Sequence, residues 1–572
     1  MKKYQLIALI ISILMLSVWG LFFGFHFGWI DDIQDLNVMK GTFVNGCSIF
    51  DPEHFVFLQN ILQFLYQLIP AFPWFGTLLY ILLGYSLYLS VVLILSAPAI
   101  TSQSLKICLS ALFCICFLLE SVNAINFTEV AILTSGITLI HLYYLTQRSK
   151  ISVWKTLLYL IPWLVAMLIR SDVVFYTTGI ILLLCFAQIP RQGLKKHIKS
   201  TGLVLFSAIA LIIYVNLYLD QTANYKHINA FNYYLRTIQD AYQTDTSTLK
   251  TAEDSLIFES IVTWNYFDKY KFNIAFLHKI SFTHPLRIEV LNDIPSRSRM
   301  LYHESFKYHG YHELYNWYWK LIFVLLINLL LMGLLLKNSR FRSLQILSSQ
   351  LLFWILIFAV GIFVKMENRF FYPLCACYTL LNLLSALDER ETDISRGKRI
   401  VTLLIFSIFS AWACIMVKQN IVMARELNDE LKLKHSFWAE LSRLKDKILV
   451  YDFHALLLLP DAPFKEVSLP ANNENIVANH FYLTHFDCLN DYYKARIGTD
   501  SIDRIFDYLH NNREKVYLIS HDYDIDFLQR YMHTVYHRDY YFCRDLSFKS
   551  AGQLHHNYIW MPLSFGVYRF KE

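Results

Sequence analysis

Charged residues are scarce in this sequence. Asp, Glu, Lys and Arg together make up 17% of the 572 residues, whereas a soluble globular protein usually carries about a quarter. Hydrophobic residues make up 55%. Apolar runs of about 20 residues, the length that crosses a hydrocarbon core of roughly 30 Å, begin at Tyr4 and recur as far as Ile415. The scarcity of charge excludes a soluble globular protein and indicates a membrane protein. We expect its first apolar run to be an uncleaved span.

Several catalytic and redox motifs are also missing. The sequence has no Gly-rich phosphate loop, no G-x-S-x-G elbow and no H-E-x-x-H pair, which disfavours a cytosolic nucleotide-driven enzyme. Its cysteines have no C-x-x-C spacing, and we interpret seven of them as small core residues: Cys108, Cys114, Cys116, Cys185, Cys375, Cys377 and Cys414. Cys488 and Cys543 could pair if the polar C-terminal region faces an oxidising compartment. The dispersed basic residues predict no nucleic-acid partner.

The basic residues predict the topology. Lys and Arg gather in connectors that should face the cytoplasm, and they share one side only if residues 54–70 lie along the interface as an amphipathic helix. We then expect about eleven spans, and an odd number places the C-terminus outside. The predicted spans are 4–26, 75–96, 104–120, 127–146, 155–170, 173–189, 201–219, 319–337, 345–364, 370–387 and 400–418.

Carboxylates stand at the outer ends of several predicted spans. Asp31 and Asp32 follow the first span in "FGWIDDI", and Glu129 opens a later span, with Glu120 as its rival. Carboxylates at membrane depth persist mainly where they line a wet cavity, pair with a cation or hold a metal. One could act as a general base, and Asp32 could help to orient a divalent cation. The alternatives are a solvated loop for the aspartates and favourable helix-dipole electrostatics for Glu129.

Arginine and lysine side chains accompany these carboxylates on the outer side. Arg170 and Asp172 lie at a break between two spans, and "KMENR" brings Lys365, Glu367 and Arg369 to the outer ends of two others. Such cations suit the phosphate of an anionic lipid. The alternatives are an internal pair between Arg170 and Asp172 and snorkelling of the cations to ordinary lipid headgroups.

The sequence pattern of the C-terminal region predicts a separate domain. Residues 420–572 contain two short buried strands, in "DKILVYDFHALLLLP" and "EKVYLISHDYD", with the helix "SIDRIFDYLHNN" between them. Histidines in the tail match no metal-ligand spacing. We therefore expect an α-helical polytopic membrane protein over residues 1–419, with outer loops 26–74 and 220–318, and a small extracytoplasmic α/β domain after it.

This plan resembles the GT-C superfamily of integral membrane glycosyltransferases. The features that carry the resemblance are the "IDDI" pair after the first span, an interfacial helix in the same loop, a second acidic outer loop and a polar C-terminal domain. The resemblance implies a polyprenyl-phosphate sugar donor, and a glycan, lipid or protein acceptor, at the outer face of a bacterial plasma membrane. It implies inverting transfer with Asp31 or Asp32 as catalytic base or metal-linked carboxylate.

The resemblance also assigns the remaining site residues. It implies that Glu129 is the second acidic residue and that Arg170 and Arg369 contact the donor phosphate. A looser likeness of the long outer loop to bacterial membrane proteins of this plan places Arg236 near the site. Members of the superfamily differ in whether they need a divalent cation, so Mg²⁺ or Mn²⁺ at Asp32 is one expectation and no cofactor is the other.

Two other functions compete with this one. A Wzy-type polysaccharide polymerase or ligase also has about twelve spans, and its arginines would outweigh Asp31 and Asp32. A non-enzymatic lipid or glycan transporter should show internal repeats or helices broken by Gly and Pro at matching positions in two halves, and neither is evident in this sequence.

Overall fold

The computed structural model describes most helices of the chain and most of its C-terminal sheet. The described residues are 2–28, 56–98, 102–148, 153–188, 249–262, 311–335, 340–363, 368–387, 396–441, 447–452, 480–483, 497–546 and 565–571, with shorter pieces at 32, 36, 40, 202, 206, 209–210, 213–214, 244–245, 270–271, 276, 279, 281–282, 444, 455, 458, 462–464 and 493–494.

The N-terminal half is a bundle of apolar helices. Its helices are α1 (Lys2–Phe23), α2 (Val56–Leu68), α3 (Trp74–Leu95), α4 (Gln103–Phe117), α5 (Leu119–Asn123), α6 (Phe127–Arg148), α7 (Val153–Ile169) and α8 (Ser171–Gln188). Later helices are α9 (Ala252–Val262), α10 (Tyr311–Leu335), α11 (Arg340–Phe363), α12 (Asn368–Leu387) and α13 (Arg396–Leu441). Helices α14 (Ile502–Asn511) and α15 (Asp522–Tyr536) belong to the C-terminal domain.

Length and hydropathy mark the chain as a multi-pass membrane protein. Among the described residues, five helical segments are long and apolar enough to cross a membrane: Tyr4–Phe23, Trp74–Leu95, Phe127–Gln147, Arg369–Leu387 and Ile400–Leu441. Shorter apolar helices lie at Gln103–Phe117, Trp154–Ile169, Ser171–Cys185, Lys320–Leu334 and Leu347–Ile357. Ten of the eleven predicted spans therefore coincide with an apolar helix, whereas most of the predicted span 201–219 lies outside the described residues.

The short helix α2 forms where the sequence predicts an interfacial helix. Its 13 residues are too few to cross a hydrocarbon core, which takes about 20. Leu58, Leu62 and Tyr66, spaced four residues apart, form its buried face, and the backbone N–H of Phe75 donates to the Tyr66 hydroxyl over 3.0 Å. This bond fixes the end of α2 to the beginning of α3.

Helix α13 continues beyond the predicted end of the last span. The predicted span stops at 418, whereas the helix has 46 residues and continues to Leu441. At 1.5 Å per residue it is about 69 Å long, roughly twice the thickness of a hydrocarbon core. The apolar residues Ala424, Leu427, Phe437 and Leu441 stay buried along its polar half. The boundary drawn at residue 420 therefore falls inside a continuous helix.

The C-terminal domain contains a mixed five-stranded sheet. Four two-residue strands come earlier in the chain: β1 (His26–Phe27), β2 (Ala124–Ile125), β3 (Thr244–Asp245) and β4 (Ser281–Phe282). The strands of the domain are β5 (Ile448–Asp452), β6 (His480–Leu483), β7 (Val516–His521), β8 (Phe542–Arg544) and β9 (Phe565–Phe570). Their order is β6-β5-β7-β9-β8, in which β6, β5 and β7 are parallel and β9 is antiparallel to β7 and to β8. The predicted strand-helix-strand unit is confirmed as β5, α14 and β7.

Two predicted core cysteines are not in the core. Cys114, Cys116, Cys185, Cys375 and Cys377 are buried, but Cys108 and Cys414 are exposed. Both exposed cysteines lie on bundle helices, where the apolar sequence continues on faces that point away from the protein. Cys488 lies outside the described residues, so its pairing with the exposed Cys543 stays a prediction.

Candidate active site

Two connecting segments, one after α1 and one before α6, meet at one end of the bundle. Strand β1 (His26–Phe27), directly after α1, pairs in parallel with β2 (Ala124–Ile125), directly before α6. The N–H of Gly28 extends the pairing by donating to the Ile125 carbonyl over 2.7 Å. A side chain at residue 28 would place its Cβ 2.9 Å from the Ala124 carbonyl oxygen, so the close approach of the two loops requires glycine.

This pairing brings Asp32 to the first turn of α6. The Asp32 side chain is completely buried. One carboxylate oxygen accepts a hydrogen bond from Asn126 Nδ2 at 3.0 Å, and the other accepts from the Phe127 backbone N–H at 2.9 Å. A helix N-terminus carries unpaired N–H groups and a positive dipole end, both of which stabilise a carboxylate. Asp32 therefore joins the segment after α1 to the beginning of α6.

Asn126 begins α6. Its Oδ1 accepts from the backbone N–H groups of Thr128, at 2.9 Å, and Glu129, at 3.3 Å. This is the bonding of a helix N-cap. Because the Nδ2 of the same side chain donates to Asp32, one amide both caps the helix and holds the loop carboxylate.

Glu129 lies in the first turn of α6 beside a second ionic group. The Ser121 hydroxyl donates to Glu129 Oε2 over 2.7 Å. The rival Glu120 forms an ion pair with Lys320 of α10, and the ammonium of Lys320 lies 4.7 Å from the centre of the Tyr372 ring. The structure thus brings both glutamates into one polar cluster, which one lysine partly neutralises.

Arg170 reaches the same helix end from the turn between α7 and α8. Its guanidinium carbon lies 5.3 Å from the centre of the Phe127 ring, a cation–π distance. Its Nε donates to Asp172 Oδ1 over 3.1 Å, which is the internal pair that the sequence left open. The Arg170 side chain is 12% exposed and that of Asp172 is 49% exposed.

Arg369 lies at the same end of the bundle. Helices α6 and α12 are parallel, because a Cβ on Gly136 would contact Cys377 Sγ and the Tyr144 hydroxyl lies 3.2 Å from Ser385 Oγ. These contacts are eight residues apart on both helices. One more step of eight, about 12 Å back along each axis, places Arg369 at the level of Thr128. Asp32, Glu129, Arg170 and Arg369 therefore share one end of the bundle, as the sequence predicts.

The C-terminal domain packs against this end. The Phe464 ring contacts those of Phe25 and Tyr80, with centroids 5.0 and 4.9 Å away. The Tyr80 hydroxyl in turn donates to the Val122 carbonyl, beside the paired loops, over 2.7 Å. An added Cβ on Gly76 would lie 2.0 Å from the Pro463 carbonyl oxygen. Residues 462–464 are therefore in close contact with the bundle next to the candidate site.

The long connection between α8 and α10 also contacts this domain. Glu259 of α9 accepts from the Tyr523 hydroxyl at 2.6 Å and pairs with Arg530 at 3.0 Å, both on α15. Tyr270 donates to Asp500 over 2.6 Å. The long connection and the bundle thus each contact the C-terminal domain.

Four predicted site residues, Asp31, Arg236, Lys365 and Glu367, lie outside the described residues. Conversely, Asn126, Lys320 and Tyr372 belong to the site and were not predicted. Asn126 had a detectable signal, since an asparagine followed by Thr and Glu at the beginning of an apolar run is typical of a helix N-cap. Lys320 stands inside an aromatic and apolar run, where snorkelling explains a lysine equally well.

The described residues do not fit a divalent cation at Asp32. Both of its oxygens accept hydrogen bonds from N–H groups, whereas Mg²⁺ and Mn²⁺ require oxygen ligands grouped around one point. No group of three or more His, Cys, Asp or Glu side chains in the described part of the chain could hold a metal. His521 instead caps α15, where its Nδ1 accepts from the Tyr523 N–H over 3.2 Å.

No family model matches the sequence, and a search of curated proteins finds no similar sequence. Among solved structures, the crystal structure of ArnT from Cupriavidus metallidurans bound to undecaprenyl phosphate is similar over 98% of this chain and 97% of that one. The TM-score is 0.46 and the sequence identity is 10%. The roles proposed below therefore come from the contacts of this chain.

Proposed function

We propose that the chain is a membrane glycosyltransferase that transfers a sugar from a polyprenyl-phosphate donor to a cell-envelope acceptor on the outer face of the bacterial plasma membrane. The main support is the meeting of Asp32, Glu129 and Arg170 at one end of an apolar helical bundle. A donor lipid could keep its tail in the bilayer there while its sugar and phosphate reach these polar side chains.

The transfer needs one proton acceptor and stabilisation of one leaving group. The acceptor hydroxyl attacks the sugar carbon that carries the phosphate, and the new glycosidic bond forms as the bond to the phosphate oxygen breaks, with inversion. A carboxylate takes the hydroxyl proton. The phosphate leaves with the electron pair, and cations stabilise its charge. Since the donor lipid supplies the reactive bond, no nucleotide-binding motif is required.

The hydrogen bonds divide these roles among the carboxylates. Both oxygens of Asp32 are already acceptors, so its proposed role is to position the two loops. Asp31, its neighbour in the sequence, and Glu129, which has one hydrogen bond from Ser121, are the candidates for the base. We keep a divalent cation out of the mechanism, because the donor set around Asp32 does not fit one.

The cations would bind the donor phosphate. Arg170 would exchange Asp172 for the phosphate, a change from one bidentate acceptor to another. Arg369, at the level of Thr128, would contact the phosphate from α12. Lys365, Glu367 and Arg236 remain predicted substrate contacts, and the acceptor can be a glycan, a lipid or a protein.

The test uses membranes that contain the protein and a radiolabelled polyprenyl-phosphate sugar. Removing a general base typically slows transfer by about 100-fold or more, so we expect a loss of that size for Asp31→Asn or for Glu129→Gln, and a loss for Asp32→Asn through displacement of the loops. Asp429→Asn is the matched control, since Asp429 is an exposed carboxylate on α13 that pairs only with Lys432 among the described residues. Full transfer by all three site variants would refute the proposal.

Arginine variants distinguish the proposed glycosyltransferase from a Wzy-type polymerase or ligase. If Arg170→Gln and Arg369→Gln abolish glycan synthesis while the three carboxylate variants keep it, the arginines carry the reaction and a Wzy-type polymerase or ligase is the better assignment. If labelled lipid crosses the membrane without any sugar transfer, the chain is a transporter.

A further inference from the structure

A concave apolar groove runs along the outside of the bundle between α4 and α13. Its volume is about 630 Å³. The wall is almost entirely apolar, and its main residues are Leu112 and Ile115 of α4 and Ala413, Cys414, Val417 and Ile421 of α13. Helix α13 contains a candidate membrane span and α4 is a shorter apolar helix, so we infer that in a membrane the groove would face the hydrocarbon chains of lipids.

Two cations line the half of this groove that the later part of α13 forms, with Ile421 and Val422 between them in the sequence. Lys418 and Arg425 belong to its wall, and both are exposed. They are seven residues apart on one helix, which places them on the same face about 10 Å apart along the axis. Within the described part of the chain, neither side chain forms an ion pair with a carboxylate. The groove therefore combines an apolar body with a positively charged half.

The contacts between α4 and α13 locate the charged half. Cys116 Sγ donates to the Phe409 carbonyl over 3.4 Å. Phe409 therefore lies beside the last residues of α4, which ends at Phe117. Lys418 lies nine residues further along α13, about 13 Å beyond that level. The cations therefore extend past the end of α4, on the side of the molecule where a lipid headgroup would lie.

The groove and the candidate active site lie on opposite faces of α13. Trp412, Met416 and Asn420 are buried against the bundle, and Asn420 Oδ1 accepts from Asn123 Nδ2 over 3.2 Å, next to the paired loops. Lys418 and Cys414 face outward. Because the helix separates the two places, a molecule in the groove does not reach Asp32 or Glu129.

We propose that this groove holds a resident anionic phospholipid, with an acyl chain along the apolar wall and its phosphate on Lys418 and Arg425. Phospholipid is the molecule that surrounds this surface, and its apolar tail and anionic head match the two parts of the groove in order. A polyprenyl-phosphate donor needs access to the reacting groups, which the helix prevents. The proposal goes beyond the proposed function and does not depend on it.

Lipid titration of the purified full-length protein, followed by native mass spectrometry, tests this site. The probes are phosphatidylglycerol, phosphatidylcholine and undecaprenyl phosphate. Each cation near a membrane surface favours an anionic lipid by a few-fold, so we expect the wild-type protein to prefer phosphatidylglycerol over phosphatidylcholine by about tenfold. The double variant Lys418→Gln, Arg425→Gln should lose this preference.

Two further variants make the result specific. The double variant Lys432→Gln, Arg513→Gln removes the same charge from exposed positions outside the groove and should keep the preference. Cys414→Phe fills the apolar part and should weaken binding of both phospholipids, which separates loss of the groove from loss of charge. An unchanged preference in the groove double variant, an equal loss in the control, or charge-dependent binding of undecaprenyl phosphate alone would overturn the proposal.

Discussion

At the scale of single residues, the side-chain amide of Asn126 joins the two halves of the candidate site. It accepts from two backbone N–H groups of α6 and donates to Asp32. Replacing an N-cap residue by alanine costs roughly 0.5–2 kcal/mol, and Asn126→Ala also removes one donor from a buried carboxylate. We expect a loss of about 2 kcal/mol in the free energy of unfolding, measured by thermal melting in detergent.

A matched asparagine provides the comparison. Asn428 of α13 only donates back to the Ala424 carbonyl of its own helix, at 2.7 Å, among the bonds of the described residues. Asn428→Ala should therefore have little effect. If the Asn126→Ala and Asn428→Ala variants have the same melting temperature, Asn126 does not join the loops.

His26 makes the loop pairing sensitive to pH. Burial lowers the pKa of His26 and outweighs a hydrogen bond with the Phe23 backbone and the nearby Glu430, which both raise the pKa. The nearby Lys434 lowers the pKa by a smaller amount. Between the lowered pKa and the ordinary value near 6.5, the unfolded chain binds more protons than the folded one. The His26 contribution to stability is therefore complete above about pH 6.5 and is lost as the pH falls toward the folded pKa.

Melting temperatures between pH 7.5 and 5 check this sign. His26→Gln should flatten the pH dependence, and His533→Gln, at an exposed histidine paired with Asp539, should leave it steep. A wild-type protein that grows more stable as the pH falls through this range would contradict the assignment.

At the scale of helices, close packing of α6 on α12 sets the level of Arg369. An added Cβ on Gly136 would lie 2.5 Å from Cys377 Sγ. Overpacking a core contact typically costs about 1–3 kcal/mol, so we expect Gly136→Ala to lower the free energy of unfolding by that amount. Adding Cys377→Ala removes the sulfur and should restore part of the loss.

Gly179 on α8 is the control glycine, because nothing lies within 4 Å of its added Cβ. Gly179→Ala should be neutral or slightly stabilising, since alanine favours a helix over glycine. If Gly136→Ala is equally harmless in a melting experiment, α6 and α12 do not pack as described.

Most elements could be predicted from the sequence, and their partners could not. The long apolar runs and the short apolar segments of β5 and β7 are visible in the sequence as hydrophobic patterns. Such a pattern predicts a helix or a strand wherever it is strong. Helix α13 was cut short because hydropathy falls after residue 418, although helical spacing of buried residues continues to Leu441. The hydrogen bonds of Asp32 join it to Asn126 and Phe127, which are 94 and 95 positions away in the sequence. No local sequence pattern contains such a pairing.

At the scale of the whole molecule, the C-terminal domain contacts the bundle beside the candidate site. Gly76 admits the Pro463 carbonyl, and Phe464 packs on Phe25 and Tyr80. Gly76→Ala should push residues 462–464 away and increase cleavage of the C-terminal domain by a limiting amount of protease. Gly333→Ala, on α10 with open space at its Cβ, should leave the cleavage pattern unchanged, and equal patterns in both variants would argue against the contact.

The central claim is that the end of the bundle with Asp32, Glu129, Arg170 and Arg369 faces the outside of the cell. Exposed Cys543 reports this directly, because its domain contacts that end. In a chain with Cys47, Cys108, Cys414 and Cys488 replaced by serine, we predict that a membrane-impermeant maleimide labels Cys543 on intact cells. Labelling only after the cells are permeabilised would place the site in the cytoplasm and contradict the account.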